Sequence, residues 1–139
     1  MADDLGRILE QATQIWHKKL REALASQGPP SALGAGAAVL EQLGAGGLPQ
    51  TQLTARMGLS KQAVQQLLDA LEADELLVRV QDTVDRRIKH VQLTAAGQAA
   101  ARARQQAQAA LELRCKDALG KKEFKRLRKS LRAVIDRNV

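Results

Sequence analysis

Tyrosine is absent from this chain, and Trp16 and Phe124 are its only aromatic residues. A core drawn from its 139 residues must therefore be built mainly from Ala, Leu and Val. Such side chains bury little area each, so a lone monomer of this size is thinly stabilised. Association between copies is expected to supply the missing burial. Cysteine occurs once, as Cys115. A disulfide within the chain is excluded, and a reducing compartment is the simple reading. The two histidines, His17 and His90, lie far apart and far from Cys115. Zinc needs closer ligand pairs, so no metal is expected. No apolar run approaches the length that spans a bilayer. The chain opens Met-Ala-Asp-Asp, without a basic region and apolar stretch, so no secretory signal is expected. A soluble, cytoplasmic protein is the expectation. There is no phosphate-cradling glycine loop, no nucleophile elbow and no paired-carboxylate motif. Enzymatic activity, catalytic residues and cofactors are accordingly not expected.

What is present is basic charge, unevenly spread. The formal net charge is +7, and hydrophobic residues make up 45% of the chain. A basic balance is compatible with nucleic acid without being specific to it. From Pro49 to Leu93, six basic residues (Arg56, Lys61, Arg79, Arg86, Arg87, Lys89) meet six acids (Asp69, Glu72, Asp74, Glu75, Asp82, Asp85). From Thr94 onward, twelve basic residues face four acids. The positive charge thus sits mostly in the C-terminal third.

Asp3 and Asp4 are capping residues for a first helix running to about Ala25. Leu5, Ile8, Leu9, Ala12, Ile15, Trp16 and Leu20 recur along it at helical spacing. Gly28-Pro29-Pro30 ends it. Ser31 is expected to cap a second helix with Leu33, Val39, Leu40 and Leu43 inward, and Gly44 to Gly47 to turn the chain. Gln50–Met57 reads as a short third helix closed by Gly58. Ser60 caps a fourth to about Ala73, whose apolar face is Ala63, Val64, Leu67, Leu68 and Leu71. Two short strands, Leu76–Val80 and Lys89–Leu93, flank a polar hairpin loop, Gln81 to Arg87. Thr94 caps a long fifth helix from Ala95 to about Leu119, rich in Ala and Gln. Gly120 interrupts it. Lys121 to Asp136 forms a sixth, with Phe124, Leu127, Leu131, Val134 and Ile135 on one stripe.

A helix, a glycine-containing turn, a second helix and a β-hairpin follow one another in the order of a winged helix-turn-helix. The expected fold is mainly α with a small β-hairpin wing, carried between long N- and C-terminal dimerisation helices. Residues 1–30 form the N-terminal dimerisation helix, 31–93 the DNA-binding domain and 94–139 the C-terminal dimerisation helices. Ser60, Lys61, Gln62, Gln65 and Gln66 give the fourth helix a polar outer face. Gln can pair with adenine through two hydrogen bonds in the major groove, and Lys favours guanine or phosphate. Arg86, Arg87 and Lys89 belong to the hairpin, where a guanidinium can enter the minor groove or clamp a phosphate. Asp85 is placed to orient that guanidinium through a paired hydrogen bond. Taken separately, the helix face is also an ordinary solvated face and the hairpin tip a polar turn.

The stretch Leu53-Thr-Ala-Arg-Met-Gly-Leu-Ser-Lys-Gln-Ala-Val-Gln-Gln-Leu-Leu-Asp-Ala-Leu-Glu72 resembles the helix-turn-helix of the MarR (multiple antibiotic resistance regulator) family. Asp85-Arg-Arg-Ile-Lys-His-Val-Gln-Leu-Thr-Ala-Ala-Gly97 resembles that family's wing and the start of its long dimer helix. The resemblance is strongest from about Leu48 to Gly97, and the wing block is its specific part. It implies a bacterial-type regulator, dimeric through interlocking terminal helices, with recognition helices in successive major grooves and wings beside them. Asp85 and Arg87 fall on the family's wing Asp and Arg. Three positions depart from the pattern: Glu75 stands where the family usually has Gly, Pro49 where it has a Ser or Thr cap, and Ala95 where it has Pro.

The expected function is a dimeric, sequence-specific transcriptional repressor on a pseudo-palindromic operator in double-stranded DNA. The rival is a winged-helix interaction module with weak DNA affinity that binds an acidic partner through the basic arm. The neutral Pro49–Leu93 segment keeps that rival open. The resemblance also admits a small-molecule inducer between DNA-binding lobe and arm; without aromatic walls, and with Gly34, Ala35 and Gly36 in the second helix, either that pocket is wide and aliphatic or no ligand is sensed. Trp16 is read as a core residue. Cys115 is read as a small buried hydrophobe, with oxidant sensing beside Arg114 and Lys116 as the alternative. The basic sixth helix is a solvated face whose apolar stripe is needed for packing, which argues against a membrane role.

Overall fold

A computed structural model describes residues 4–139. The expected capping role of Asp3 lies outside the described residues. Asp4 does cap the first helix, α1 (Leu5–Leu24), accepting from the Arg7 amide at 2.9 Å. The following proline pair gives a single 3-10 turn, Pro30–Ala32, rather than the start of a helix. Helix α2 spans Ala35–Leu43, three residues later than a Ser31 cap predicts. Leu33 is extended and Gly34 sits at φ 57°, so the helical path cannot begin before Ala35. The Ser31 hydroxyl instead donates to Asp74 Oδ2 at 2.6 Å. Leu33, expected inward, is half-buried.

The next elements are β1 (Leu48–Pro49), α3 (Gln50–Met57), α4 (Lys61–Ala73), β2 (Leu77–Gln81) and β3 (Lys89–Leu93). Two long helices end the chain, α5 (Ala95–Leu119) and α6 (Lys121–Arg137). The fold is the expected one, mainly helical with a hairpin wing. Strand β2 starts one residue later than expected. Leu76 is consumed in the turn after α4, its amide donating to the Leu71 carbonyl at 2.9 Å. The sheet has a third strand that hydropathy could not reveal. Its order is β1-β3-β2, antiparallel throughout, with Leu48 opposite Val91 and Arg79 opposite Val91 from the other side.

One core knits the helix-turn-helix to the sheet. Val39, Leu40 and Leu43 of α2, Leu53 of α3, and Val64, Leu68 and Leu71 of α4 pack with Leu76, Leu77 and Val91. All ten are buried aliphatic side chains. Outside this lobe, α1 and α6 pack along α5, and α2 also leans on α5. Trp16 is half-buried there, its indole N–H donating to Gln108 Oε1 of α5 at 2.7 Å. Cys115, expected buried, is only partly so.

The arm leaves much apolar surface uncovered. Leu5, Ile8, Leu9 and Ile15 of α1 are exposed, as are Leu127, Leu131, Val134 and Ile135 of α6. The chain exposes 9951 Å², against roughly 7,100 Å² for a compact monomer of 15.1 kDa. The stripes that read as core-forming therefore have no core within one copy. No helix among the described residues is long and apolar enough to cross a membrane.

Candidate nucleic-acid interface

The turn between α3 and α4 is set by Gly58, at φ 65° in the left-handed region that glycine occupies without steric cost. Ser60 follows in extended geometry and caps α4, its hydroxyl accepting from the Ala63 amide at 3.0 Å. That bond satisfies one of the amides that the first turn of α4 leaves without a helical partner. Lys61, Gln62 and Gln66 are exposed, while Gln65 is half-buried.

The wing is a hairpin braced from within. Asp82 accepts from the amides of Val84 (3.0 Å) and Asp85 (2.7 Å) and pairs with His90 Nε2 at 3.0 Å. Gln81 Nε2 donates to the Arg86 carbonyl at 2.7 Å. Asp85 holds Arg87 by three hydrogen bonds, two to the guanidinium and one to the backbone amide. These donors keep both carboxyls below their ordinary range. For Asp82 the Asp85 amide is the largest cause; for Asp85 it is the Arg87 side chain. The Arg87 guanidinium is raised in turn by Asp85.

A groove of ≈ 440 Å³ runs between α4 and the wing. It is lined by Gln50, Thr51, Thr54, Lys61, Gln65, Arg87, Ile88 and Lys89. Four of the sequence-predicted residues thus meet on one face: Lys61, Gln65, Arg87 and Lys89. Gln66 does not join them; it lines another groove, with Leu59, Ala63 and Ala70, on the flank of α4 toward α2. Gln62 is exposed and lines neither groove, and Arg86 lies exposed at the wing tip. Gln50, Thr51 and Thr54, at the start of α3, were not foreseen. The polar run Gln50-Thr51-Gln52 at a helix start was the available signal.

The acids that make this segment neutral are largely committed. Asp69 and Glu72 both bind Arg79, at 2.7 and 2.8 Å. Arg79 lowers the Glu72 pKa, chiefly through the side-chain hydrogen bond, and its own is raised. Asp74 serves Ser31, Asp82 the wing turn and Asp85 Arg87. Among the described residues, Lys61, Arg86 and Lys89 enter no such ion pair. All three are exposed, which leaves their charges available to a partner. Among the described residues there is also no cluster of three His, Cys, Asp or Glu able to hold a metal ion.

A second cleft, ≈ 400 Å³, opens between lobe and arm. His17, Leu20, Arg21 and Leu24 of α1 face Leu33, Gly34, Ala35 and Ala38, with Arg104 of α5 at its side. Arg104 Nε also donates to Glu41 Oε1 of α2 at 2.6 Å, tying arm to lobe.

Residues 35–88 match the model of the MarR family. No curated protein matches the chain significantly. Among solved structures, the transcriptional repressor CouR bound to a 23-mer DNA duplex is 28% identical, with a TM-score of 0.80 over 95% of this chain and 92% of that one. A probable transcriptional regulator from Pseudomonas aeruginosa is 25% identical, with a TM-score of 0.74 over 99% and 98%. CouR from Rhodococcus jostii RHA1 bound to p-coumaroyl-CoA shares the fold at 24% identity and a TM-score of 0.70, over 96% and 92%.

Proposed function

We infer that this chain is a winged helix-turn-helix transcriptional regulator of the MarR family that binds DNA, a reading supported by the match of residues 35–88 to that family's model. The observation that carries the reading is the ≈ 440 Å³ groove in which Lys61 and Gln65 of α4 face Arg87 and Lys89 of the wing. A major-groove reader and a cationic wing on one face are what a duplex requires. The structure of CouR, 28% identical over nearly the whole chain, holds a DNA duplex. An enzymatic role has no support in these likenesses, all of which are to regulators.

The finer reading is a homodimeric repressor that occludes a promoter in the cytoplasm. Residues 31–93 bind DNA, while residues 1–30 and 94–139 pair the two copies. The exposed apolar stripes of α1 and α6 support the pairing, since a contiguous apolar surface of that extent is costly in water. Ser60 organises the start of α4. Lys61, Gln62 and Gln65 read the major groove, with Gln66 at its margin. Arg86, Arg87 and Lys89 hold the flanking backbone or minor groove, with Asp85 orienting Arg87. Two-fold symmetry places the half-site centres about one helical turn, roughly 10 bp, apart. The lobe–arm cleft suits a small inducer with an anionic group, facing His17, Arg21 and Arg104 across an aliphatic floor. An acyl-CoA thioester is one class to try, given the ligand of CouR.

Selection of duplexes from a random pool by the purified full-length protein tests the whole reading. An enriched pseudo-palindrome, bound with steep salt dependence, is the expected result. Enrichment of no sequence, with weak binding at low salt, defeats it. Release of the selected duplex by an added anionic ligand tests the inducer separately.

A further inference from the structure

Gln65 is held at both ends of its amide. Gln50, the first residue of α3, donates from Nε2 to Gln65 Oε1 at 2.7 Å. Gln65 donates from its own Nε2 to Asp69 Oδ1 at 3.3 Å. Asp69 is fixed in turn by Arg79, whose guanidinium is anchored on Glu72. One chain of hydrogen bonds therefore runs from α3 across α4 to β2.

This chain has a direction. A carboxylate can only accept, so the Gln65 nitrogen must face Asp69 and its oxygen must face Gln50. Gln50 then has to present its nitrogen, and its own Oε1 is left buried without a hydrogen-bond partner among the described residues. A buried acceptor without a donor is destabilising. The orphaned oxygen is thus the structural consequence of keeping the Gln50 donor on Gln65.

We propose that Gln50 and Asp69 are positioning residues that fix the sense in which the Gln65 amide meets a base pair. The proposal rests on the reading of Gln65 as a base reader. An amide has two N–H donors and two lone pairs. Gln50 and Asp69 use one of each, so one donor and one acceptor remain. Those two match the N6 and N7 edge of adenine. A freely rotating amide offers its donor and acceptor either way round, whereas this one offers them in a single orientation at no ordering cost on binding. The groove containing Gln50 and Gln65 leaves room for a base edge against that pair.

The test measures affinities of the full-length protein for its selected duplex, for every single base-pair change in it, and for a scrambled duplex. Gln65→Ala identifies the base pair at which preference collapses. Gln50→Met, which removes the donor and the orphaned oxygen together, should lower discrimination at that same pair about fivefold, the factor carried by one ordinary hydrogen bond. Its affinity for scrambled DNA should stay within about twofold, because no phosphate-binding group is touched. Gln50→Lys restores a donor that cannot accept. It should keep the discrimination while strengthening binding to all sequences. Asp69→Asn, at an exposed position, tests the other end independently of folding effects at Gln50; the flippable amide should lower discrimination at the same pair. If Gln50→Met and Asp69→Asn leave discrimination intact while Gln65→Ala abolishes it, the positioning role is wrong. A uniform loss on all duplexes also overturns it, since that is what a structural role alone produces. If Gln65→Ala changes no preference, the base-reading role fails first and the proposal with it.

Discussion

The Arg87 guanidinium lies in a paired hydrogen bond against the Asp85 carboxylate, Nε to Oδ1 at 3.1 Å and Nη2 to Oδ2 at 3.0 Å. Asp85 Oδ1 also accepts from the Arg87 amide at 3.0 Å. The Arg87 side chain is nonetheless 90% exposed. An exposed pair of this kind adds little to stability. Its effect is geometric: it aims a charged group that remains in water.

Arg87→Ala should therefore weaken binding to preferred and scrambled duplexes alike. The slope of log affinity against log salt should become shallower by about one unit for each phosphate the variant no longer neutralises. Asp85→Ala should give a milder form of the same effect, because it frees the guanidinium without removing it. Titrations at two or more salt concentrations measure both. An Arg87→Ala protein with unchanged affinity and slope would falsify the wing assignment.

Most of the helix boundaries were legible because their signals are local. Ser60 and Thr94 each cap the helix that follows by accepting from an amide three residues on. Gly58 ends α3 as its residue type suggests. What was hidden depends on partners far along the chain. Ser31 is a competent cap, but its hydroxyl is taken by Asp74, 43 residues away, and the helix starts elsewhere. Strand β1 is two residues long and exists only because Leu48 and Pro49 meet Val91 and His90. In the same way, counting acids against bases could not show that Arg79 pairs with both Asp69 and Glu72. The Gln50–Gln65 hydrogen bond spans 15 positions and two elements, a spacing that no helical or strand period selects.

The terminal helices should make the protein an obligate dimer. Leu131 and Ile135 stand one turn apart on α6 and are exposed in a single copy. Ile135→Glu would place a charge within the paired apolar surface, where desolvation opposes it strongly. Sedimentation at micromolar concentration should show a dimer for the parent protein and at least tenfold weaker association for Ile135→Glu. Removal of the residues after Gly120 should abolish folding rather than DNA binding alone. A folded, monodisperse parent monomer defeats the expectation.

The wing should lose its order in acid. Asp82 and Asp85 have carboxyls below the ordinary aspartate value of 3.8, through the donors they accept from in the folded hairpin. A depressed folded pKa stabilises at pH above the unfolded value and ceases to do so as pH falls through the folded one. The amide resonances of Val84 and Asp85, which report the hairpin tip, should therefore hold their folded positions above about pH 4 and move toward unstructured values below it. In Asp82→Ala they should lie near unstructured values already at neutral pH. Folded positions retained in Asp82→Ala would show that the hairpin needs no such brace.

Glu75 occupies a position that suits glycine. It lies at φ 59° just past α4, in the left-handed region. Its amide donates to the Glu72 carbonyl and the Leu76 amide to the Leu71 carbonyl, both at 2.9 Å. This is the bond pattern of a Schellman helix stop, whose left-handed residue is usually Gly. The turn is kept because it leads α4 into β2, and the Thr94 hydroxyl clamps the Glu75 carbonyl at 2.6 Å. A side chain in this region costs roughly 1–2 kcal/mol, while glycine costs roughly 0.5–1 kcal/mol through the freedom it gives the unfolded chain. Glu75→Gly should therefore stabilise by about 0.5–1 kcal/mol, a rise of roughly 1–4 °C in Tm for a protein of this size. Glu75→Ala separates backbone from charge, since it deletes the carboxylate but keeps the Cβ. It should leave Tm close to that of the parent. Thermal unfolding of all three at one protein concentration decides the matter. Equal stabilisation by Gly and Ala would assign the effect to the carboxylate and not to the turn.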